Sequence, residues 1–295
     1  MIDIKVELKL IIKKIVTNSN TLSAIRRHYR HRKACKHFKL MKLAYEQSGK
    51  SERIQQYRNI HEGDRCFIIG NGPSLTVADL EKIREEKSFA TNRIYLMYDK
   101  TEWRPTYFMC QDRQLVRSLV NFYSKCEEKV FLGYHALYEY GINLPNVDYF
   151  LTDNRDANRL VSRLDFSEDA SSYVIDGGSV TYSAIQMAAY MGFKEIYLLG
   201  VDHSFSHTLD KNRRIVKHND VKEDYFDSRY KDAFKQFEEK GKTYAAPDKE
   251  LMDLAFEASK KYCDENGIVI KNATRGGKLE IFERVNFDSL WEDKK

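Results

Sequence analysis

The sequence of 295 residues has little proline, with four residues, and no long uncharged apolar run. A helix needs about 18 apolar residues to cross a bilayer, so we expect no integral membrane protein. Glycine is also sparse, with 14 residues, while aromatic residues make up 13% of the chain. This composition excludes collagen-like and disordered classes and predicts one large globular domain, or one domain with an appendage.

Cysteine is present, but not in pairs that would build a site. The five cysteines are scattered, their number is odd and no C-x-x-C pair occurs, which excludes a disulfide framework and a zinc knuckle. We therefore expect reduced thiols in the cytosol. The N-terminus has no small-residue cleavage site after an apolar core, so we expect no secretory signal and a cytoplasmic protein.

Acidic residues are nearly absent from the first 42 positions. This segment holds twelve Lys or Arg residues against Asp3 and Glu7, a net charge of +10, so the other 253 residues carry −5 of the total of +5. Apolar residues recur there at helical spacing, which predicts a basic helical extension over residues 1–60. Residues 1–42 could bind an anionic membrane at the inner face of the plasma membrane, or pack on the body or on a second subunit. No base-stacking module accompanies the charge, so we expect no nucleic-acid partner.

From residue 64 onward, short apolar runs alternate with helical segments. Such alternation is typical of a mostly parallel sheet with helices on both faces, so residues 61–295 are expected to form a Rossmann-like α/β domain. Ligands of such sheets bind at the carboxyl ends of the strands. Residues 204–247 hold many charged and aromatic side chains and few aliphatic ones, which predicts a lid. Among the predicted elements are strands over 65–70, 88–92 and 173–176 and helices over 76–86 and 113–123.

A glycine-rich turn follows the first predicted strand. It consists of Gly70, Asn71, Gly72, Pro73 and Ser74. Its glycines let the backbone approach a phosphate or ribose closely, and the amides of the helix that follows favour an anion. The turn is not G-x-G-x-x-G, because position 75 is Leu, and no Gly-Lys-Ser/Thr follows as in a P-loop. It predicts a nucleotide or phosphate site, with a plain strand-to-helix turn as the alternative.

Other strand ends carry polar residues as well. Asn92 ends the second predicted strand and could bind a ribose hydroxyl or a base edge, or cap the next element. Asp112 follows the third predicted strand, over 106–110, and could be a pocket residue or an Asx turn. A second glycine-rich turn contains Gly178, Ser179 and Thr181, whose amides and hydroxyls could hold an anion. Two such turns on one sheet make a nucleotide site the favoured interpretation.

A strongly apolar strand over 195–200 leads directly into Asp202 and His203. Histidine exchanges a proton near neutral pH, so His203 is the first candidate for a general base, with His218 in the predicted lid as another. A helix cap or a structural Asp–His pair is the alternative. No third fixed ligand accompanies these residues, so we expect no transition metal, and the absence of G-x-S-x-G disfavours a serine hydrolase.

Three blocks of the sequence resemble known families. They are Ile69-Gly70-Asn71-Gly72-Pro73-Ser74-Leu75, Asn92 in its short strand, and Met191-Gly192-Phe193-Lys194-Glu195-Ile196-Tyr197-Leu198-Leu199-Gly200-Val201-Asp202. They resemble bacterial lipooligosaccharide sialyltransferases, which transfer sialic acid from CMP-sialic acid. They also resemble the broader domain of unknown function family 115, which includes MptE-like 6-hydroxymethylpterin pyrophosphokinases and motility accessory factors. The resemblance covers residues 64–275 in patches.

The resemblance implies roles for individual residues. The 70–74 turn and Asn92 would hold the nucleotide, Ser179 and Thr181 would line the donor pocket, and Asp202 would lie near the ribose or base. The sialyltransferases also have a tyrosine shortly after the Gly-x-Asp element and a histidine base before the C-terminal helix. Here Asp202 is followed by His-Ser-Phe, and Tyr-Ala-Ala-Pro precedes the helix. The departure favours a related CMP-activated sugar over strict sialyl transfer.

The sequence therefore predicts an inverting glycosyltransferase whose catalytic domain, residues 61–295, binds a CMP-activated acidic sugar that is sialic-acid-like or Kdo-like. It would act on a glycan or glycolipid acceptor in surface polysaccharide or lipooligosaccharide assembly. We expect that it requires no cofactor and that it could form a homo-oligomer. One alternative is an MptE-like pyrophosphokinase using ATP and Mg²⁺, with Asp112 and Asp202 holding the ion. The other is a nucleotide-binding scaffold without catalysis.

Overall fold

An eight-stranded sheet organises the chain in the computed structural model. The structure describes residues 20–155, 161–210, 213–230 and 246–294. Residues 1–19 of the predicted extension and residues 211–212 and 231–245 of the predicted lid lie outside the described residues. Within the described ranges, no helix is both long and apolar enough to cross a membrane.

Helices and strands alternate along most of the chain. The α-helices are α1 (Asn20–Gln47), α2 (Lys50–Gln55), α3 (Val77–Lys82), α4 (Arg113–Ser118), α5 (Val120–Tyr123), α6 (His135–Tyr140), α7 (Val180–Tyr190) and α8 (Lys249–Glu265). The strands are β1 (Arg65–Ile69), β2 (Lys87–Thr91), β3 (Tyr107–Cys110), β4 (Lys129–Gly133), β5 (Val147–Phe150), β6 (Thr152–Asp153), β7 (Val174–Ile175), β8 (Glu195–Leu199), β9 (His207–Leu209), β10 (Ile215–Lys217), β11 (Val269–Asn272) and β12 (Glu283–Arg284). Short 3-10 helices span Ile94–Met97 and Phe287–Lys294.

The strand order in the sheet is β12-β11-β8-β1-β2-β3-β4-β5, and all neighbouring pairs are parallel. The chain builds outward from β1 through β5 and then returns to the other side of β1 with β8. The order therefore reverses between β1 and β8, where Ile69 is paired with Leu199. In open α/β sheets, ligands bind in the crevice that such a reversal leaves. The prediction of a Rossmann-like α/β fold is confirmed.

Two hydrophobic cores cover the two faces of the sheet. Side chains alternate along each strand, so Phe67 and Ile69 of β1 face one core, while Cys66 and Ile68 face the other. Helices α1, α3 and α4 pack on the first face, and helices α2, α7 and α8 pack on the second. Each fully buried Leu, Ile or Phe contributes about 1.5–3 kcal/mol, so the two cores supply the main stabilisation of the fold.

The second half of α1 belongs to the first core. Phe38, Met41 and Tyr45 are buried there, and the ring of Tyr45 packs edge-on against Tyr134 with 4.9 Å between centroids. Ile54 of α2 is buried on the opposite face of the sheet. The helices before residue 60 therefore contribute side chains to the same cores as the strands.

Three predicted elements are wrong in detail. The helix expected over 76–86 is α3, which ends at Lys82 because Ile83 leaves the helical region with φ −99° and ψ 15°. The single helix expected over 113–123 is two helices, because Leu119 leaves the helical region with φ −111° and ψ 17°. The strand expected over 173–176 does not join the main sheet. It is β7, which pairs with β6 in a separate two-stranded sheet, and its Val174 amide donates to the Leu151 carbonyl at 2.8 Å.

Candidate nucleotide site

A cavity of about 530 Å³ opens at the carboxyl ends of β1, β2, β3, β7 and β8. Ten of the predicted site residues line it. They are Gly70, Asn71, Gly72, Asn92, Asp112, Gly178, Ser179, Thr181, Asp202 and His203. Described residues of the 204–247 insertion complete the wall, so the cavity lies between the sheet and this insertion. The position is the one that the strand order predicts for a ligand.

The turn after β1 packs directly against the turn after β8. The Gly70 amide donates to the Leu199 carbonyl at 2.8 Å, and the Gly72 amide donates to the Gly200 carbonyl at 2.9 Å. A Cβ atom on Gly70 would lie 2.9 Å from the carbonyl carbon of Gly200, and one on Gly72 would overlap the Asp202 carboxylate. Both glycines are therefore required for close approach between the two turns.

Ser74 and Asp202 join the same two turns through their side chains. The Ser74 hydroxyl donates to Asp202 Oδ2 at 2.7 Å, and the Ser74 amide lies 3.4 Å from the same oxygen. Asp202 is 7% exposed, and burial raises the pKa of its carboxyl, while the bonds from Ser74 act in the opposite direction. Ser74 is thus a partner of a cavity residue, although it and Pro73 are not among the lining residues.

Three residues that line this cavity have a buried amide oxygen without a hydrogen-bond partner among the described residues. Within the described ranges, Asn71 Oδ1, Asn92 Oδ1 and Gln114 Oε1 are buried and have no hydrogen-bond partner. For Asn71 the orientation is fixed, because its Nδ2 donates to Thr91 O and Thr91 Oγ1, both at 3.0 Å. Buried acceptors without donors are costly, so these oxygens are suited to hydroxyl or amino groups of a ligand.

Asn92 has a backbone conformation that few residues other than glycine adopt. Its φ is +54°, in the left-handed region, and its amide donates to the Met109 carbonyl at 3.1 Å. Asparagine tolerates this conformation better than most residues do. The residue immediately follows β2, so the structure turns the chain there and keeps the side chain at the cavity.

The second glycine-rich turn forms the opposite wall. Asp176 Oδ1 accepts from the Gly178 amide at 2.9 Å, and the Ser179 hydroxyl caps α7 by accepting from the Thr181 amide at 3.2 Å. Asp112 caps α4 by accepting from the amides of Gln114 and Leu115. Asp112 is therefore both a helix cap and a residue of the cavity wall, so the two alternatives considered for it do not exclude each other.

His203 is held by a carboxylate. Its Nε2 donates to Asp253 Oδ1 at 2.6 Å, and its side chain is 1% exposed. Its φ is +52°, and its Nδ1 is buried without a hydrogen-bond partner in the part of the chain that the structure describes. Burial lowers the pKa of His203, while the bond to Asp253 raises it. Because Nε2 is bonded to Asp253, Nδ1 is the ring nitrogen that remains without a partner within the described ranges.

His218 lies elsewhere. Its amide donates to the Ser206 carbonyl at 2.8 Å, and its Nε2 lies 2.8 Å from Thr208 Oγ1, so it ties together the β9–β10 hairpin. It is not among the described residues that line the cavity. The structure therefore brings His203 and Asp202 to the cavity and leaves His218 on the insertion.

Several lining residues had no sequence signal. Gln111 bridges two segments, because its Oε1 accepts from Ser183 at 2.6 Å and its Nε2 donates to Asp176 at 3.4 Å. Tyr225 and Tyr230 of the insertion stack with 3.8 Å between ring centroids. The amino-acid composition of residues 204–247 predicted an insertion, but it did not indicate which of its aromatic residues line the cavity. Arg113 and Gln114 line the cavity because α4, in whose first turn they lie, starts at the carboxyl end of β3.

The insertion is anchored to the body beside the first turn. The Phe226 amide donates to the Asn71 carbonyl at 3.2 Å. Arg229 binds Asp227 and reaches Asp99 at 2.8 Å, and Lys100 binds Asp227 at 2.7 Å. These contacts hold the stacked tyrosines of the insertion in place at the cavity.

Carboxylates outnumber cations in the cavity wall. The described lining residues include five aspartates and two arginines. They are Asp112, Asp176, Asp202, Asp224, Asp248, Arg113 and Arg213. Burial raises the pKa values of Asp112 and Asp176. Arg113 binds Glu139, and Arg213 lies 3.3 Å from Asp248.

No group of three or more His, Cys, Asp or Glu side chains is arranged for a metal ion among the described residues. A Mg²⁺ ion usually takes one or two carboxylates together with substrate phosphates. The contacts named above engage Oδ1 of Asp112 and Oδ2 of Asp202, and each carboxylate has a second oxygen that could bind such an ion.

Comparisons with solved structures give two similar proteins. The MAf glycosyltransferase from Magnetospirillum magneticum AMB-1 is 15% identical with a TM-score of 0.45, and the match covers 82% of this chain and 39% of that one. The sialyltransferase CstII from Campylobacter jejuni, in complex with the substrate analogue cytidine-5'-monophosphate, is 16% identical with a TM-score of 0.43. That match covers 76% of this chain and 85% of that one. No curated protein matches this chain in sequence.

A family model gives the broader assignment. The model described as 6-hydroxymethylpterin diphosphokinase MptE-like matches residues 39–208, which is more than half of the chain. The matched range includes the 70–74 turn and the Met191–Asp202 block on which the resemblance was based. The resemblance is confirmed at this level, and the chain belongs to the MptE-like family.

Proposed function

We propose that this chain is an inverting glycosyltransferase that uses a CMP-linked acidic sugar as its donor. The observation that carries the proposal is the set of unpaired amide oxygens of Asn71, Asn92 and Gln114 at the strand-order reversal. A nucleoside supplies matching donors in its ribose hydroxyls and in the exocyclic amine of cytosine. The glycine-packed turn beside these oxygens supports close approach of the backbone to a nucleotide.

The charge of the cavity supports a donor with one phosphate. A CMP-linked acidic sugar has one negative charge on its phosphate and one on the carboxylate of the sugar, which is fewer than the triphosphate of ATP carries. With five aspartates and two paired arginines in the wall, a triphosphate would be repelled unless a cation accompanied it. The sugar class within this proposal, sialic-acid-like or Kdo-like, follows the sequence resemblance.

The proposed reaction is a single displacement. The acceptor hydroxyl attacks the anomeric carbon, the bond from that carbon to the phosphate oxygen breaks, and CMP leaves with the bonding electrons. The hydroxyls of Ser179 and Thr181, which line the cavity, would stabilise the charge that develops on the phosphate. The acceptor proton would pass to Nδ1 of His203, while Asp253 stabilises the imidazolium through Nε2. Asp202 would bind the ribose or base.

The proposed acceptor is a glycan or glycolipid of surface polysaccharide or lipooligosaccharide assembly. Such an acceptor is a polyhydroxyl compound, and Tyr225 is an aromatic residue of the cavity wall that could bind it. Aromatic rings commonly bind the apolar faces of sugar rings. No cofactor is needed for this chemistry, because the donor already carries the leaving group.

A second candidate function follows from the family and from the carboxylates. An MptE-like enzyme would transfer diphosphate from ATP to an alcohol, so that the alcohol oxygen attacks the β-phosphorus and AMP leaves. Asp112 and Asp202 could hold Mg²⁺ between them and the phosphates. The same carboxylates that disfavour bare ATP would favour the ATP–Mg²⁺ complex, so the metal requirement distinguishes the two functions.

The test is a donor panel with product detection. Full-length protein is incubated with CMP-linked sialic acid or Kdo and a glycolipid acceptor in excess EDTA, and CMP and glycosylated product are measured. Parallel reactions contain ATP, Mg²⁺ and a hydroxymethylpterin. CMP release coupled to product in EDTA supports the proposal. AMP release that requires Mg²⁺ supports the second candidate, and nucleotide binding without turnover in any reaction supports a non-catalytic scaffold.

A further inference from the structure

Helix α1 presents an apolar stripe to solvent on the side that faces away from the core. Ile25, Tyr29, Leu40 and Leu43 lie on this side and are between 50% and 68% exposed. Their spacing of i, i+4, i+15 and i+18 places them along one face of the helix. Phe38 and Met41, in contrast, point into the protein and are nearly inaccessible. Large apolar side chains grouped on a surface indicate a contact surface.

The exposed surface of α1 around this stripe is strongly basic. Five exposed Lys and Arg residues interleave with the apolar side chains. They are Arg30, Arg32, Lys33, Lys36 and Lys39. No Asp or Glu occurs in the sequence between Ile25 and Tyr45, so these charges have no carboxylate on their own helix to neutralise them before Glu46. We name the four apolar and five basic side chains the outward face of α1.

We propose that the outward face of α1 docks on an anionic lipid bilayer. Negatively charged headgroups attract the basic side chains, and each such side chain near an anionic surface strengthens binding roughly fivefold. The apolar side chains would enter the boundary between headgroups and acyl chains, as on helices that lie flat in a membrane interface. With 28 residues, α1 could lie along about 42 Å of the surface.

The combination of basic and apolar side chains favours a bilayer over a second copy of the chain and over a nucleic acid. A second copy of the chain would bring five basic side chains against five, and such like charges repel. A nucleic acid would pair with the basic residues, but it would leave the aliphatic side chains Ile25, Leu40 and Leu43 without an apolar environment. A bilayer satisfies both the basic and the aliphatic side chains. The proposal does not depend on which donor the cavity binds.

The test is sedimentation of full-length protein with vesicles. One set is pure phosphatidylcholine and the other contains about 30 mol% phosphatidylglycerol, each at about 0.1 M and about 1 M salt. The charge-reversed variant combines Lys33→Glu, Lys36→Glu and Lys39→Glu. Because these positions are exposed, the variant should fold, which its circular dichroism and melting temperature verify. A second variant, Leu40→Ser with Leu43→Ser, removes apolar contact without changing charge.

A matched control carries the same change of charge on other surfaces. It combines Lys87→Glu, Lys125→Glu and Lys261→Glu, at exposed positions on β2, the α5–β4 loop and α8. We expect wild type and control to bind the anionic vesicles similarly at low salt and to leave pure phosphatidylcholine unbound. We expect the charge-reversed variant to bind at least roughly 100-fold more weakly and the serine variant to bind several-fold more weakly.

Other outcomes would overturn the proposal. Equal binding of the charge-reversed variant and wild type would place the contact elsewhere on the chain. Failure of wild type to sediment with anionic vesicles would show that the chain does not bind such a membrane. Tighter binding to a DNA or RNA duplex than to anionic vesicles would assign the face to nucleic acid. A concentration-dependent dimer that the serine variant abolishes, without vesicle binding, would assign it to a second copy.

Discussion

Ser74 donates its hydroxyl to the carboxylate of Asp202 at 2.7 Å, across 128 positions of sequence. The bond connects the turn after β1 with the turn after β8, and these strands flank the reversal of the strand order. Because Asp202 is buried, its charge depends on this partner. The bond therefore stabilises both the fold and the geometry of the cavity wall.

Ser74→Ala should lower the free energy of unfolding by about 1–3 kcal/mol at pH 7, because it leaves a buried carboxylate without its hydroxyl donor. The pKa of Asp202, already raised by burial, should rise further once the Ser74 bond is lost. An Asp with a raised pKa destabilises the fold when it must ionise, so the cost should shrink as the pH falls towards 4. Urea unfolding at both pH values measures it.

The control for this variant is Ser124→Ala. The Ser124 hydroxyl is exposed and bonds only to the nearby Asn121 carbonyl among the contacts described. Its loss should cost less than about 0.5 kcal/mol at either pH. If the two variants lost the same free energy of unfolding, the Ser74–Asp202 bond would contribute no more to stability than an exposed hydroxyl does.

Gly72→Ala should abolish nucleotide binding and destabilise the protein, since its Cβ would overlap the Asp202 carboxylate and lie 2.8 Å from the Gly200 carbonyl. Gly267→Ala is the matched comparison, because Gly267 has φ +64° and open space around its Cβ position. It should cost about 1–2 kcal/mol from backbone strain and leave ligand affinity unchanged. Calorimetric titration with CMP separates the effects. Normal affinity in Gly72→Ala would contradict the assigned role of the turn.

His135 should make stability depend on pH. It is 3% exposed, and burial, with a smaller contribution from Arg113, lowers its pKa from 6.5 to about 4. The unfolded chain therefore binds a proton between pH 6.5 and 4 that the folded chain does not bind. Stability should fall over this window as the pH is lowered, by about 3 kcal/mol from this residue.

The measurement is urea unfolding of wild type and His135→Phe at pH 4 and at pH 6.5. Carboxylates contribute to the pH dependence of both proteins, so the difference between the two slopes isolates His135. The variant should lose about 3 kcal/mol less on acidification. Parallel slopes would show that His135 titrates normally.

The pair His203–Asp253 should respond to its two neighbours with opposite signs. The Asp253 carboxylate raises the pKa of His203 and the Lys249 ammonium lowers it. Asp253→Asn should therefore lower the pKa of His203, and Lys249→Met should raise it. Histidine ring signals in an NMR titration report both, with His203→Asn used to assign the resonance. Asparagine is chosen because it tolerates the φ of +52° at this position. Shifts of the same sign in both variants would contradict the pairing.

Strands with local apolar patterns could be predicted from the sequence, whereas β5 could not. Cys66–Ile69 in β1 is a continuous apolar run before a glycine, and Thr76, the first residue of the helix expected over 76–86, is the N-cap of α3. In β5 the run is interrupted by Asp148, which is buried at 1% exposure. Its charge is compensated by Tyr57 at 2.7 Å and Lys129 at 2.6 Å, together with Arg53. A carboxylate inside a strand is tolerable only with such partners, and a local pattern does not reveal them.

The candidate site shows the same division. Residues in the turns that follow strands, such as Asn71, Asn92 and Asp202, could be predicted because the topology of a parallel sheet gathers strand ends at one edge. Gln114 and Tyr225 could not. Gln114 reaches the cavity through the direction of α4, and Tyr225 reaches it because Phe226 bonds to the Asn71 carbonyl across the fold. Both depend on tertiary packing.

The central claim is tested most directly by calorimetric titration of CMP into full-length protein in EDTA, with Asn92→Gly as the paired variant. Glycine adopts the φ of +54° at this position without strain, so the variant removes the amide oxygen and leaves the turn intact. The account predicts that CMP binds without metal and that Asn92→Gly weakens binding about tenfold, the expected loss for one hydrogen bond. The account would be contradicted if ATP bound but CMP did not, and if ATP binding required Mg²⁺. It would also be contradicted if Asn92→Gly bound CMP with unchanged affinity.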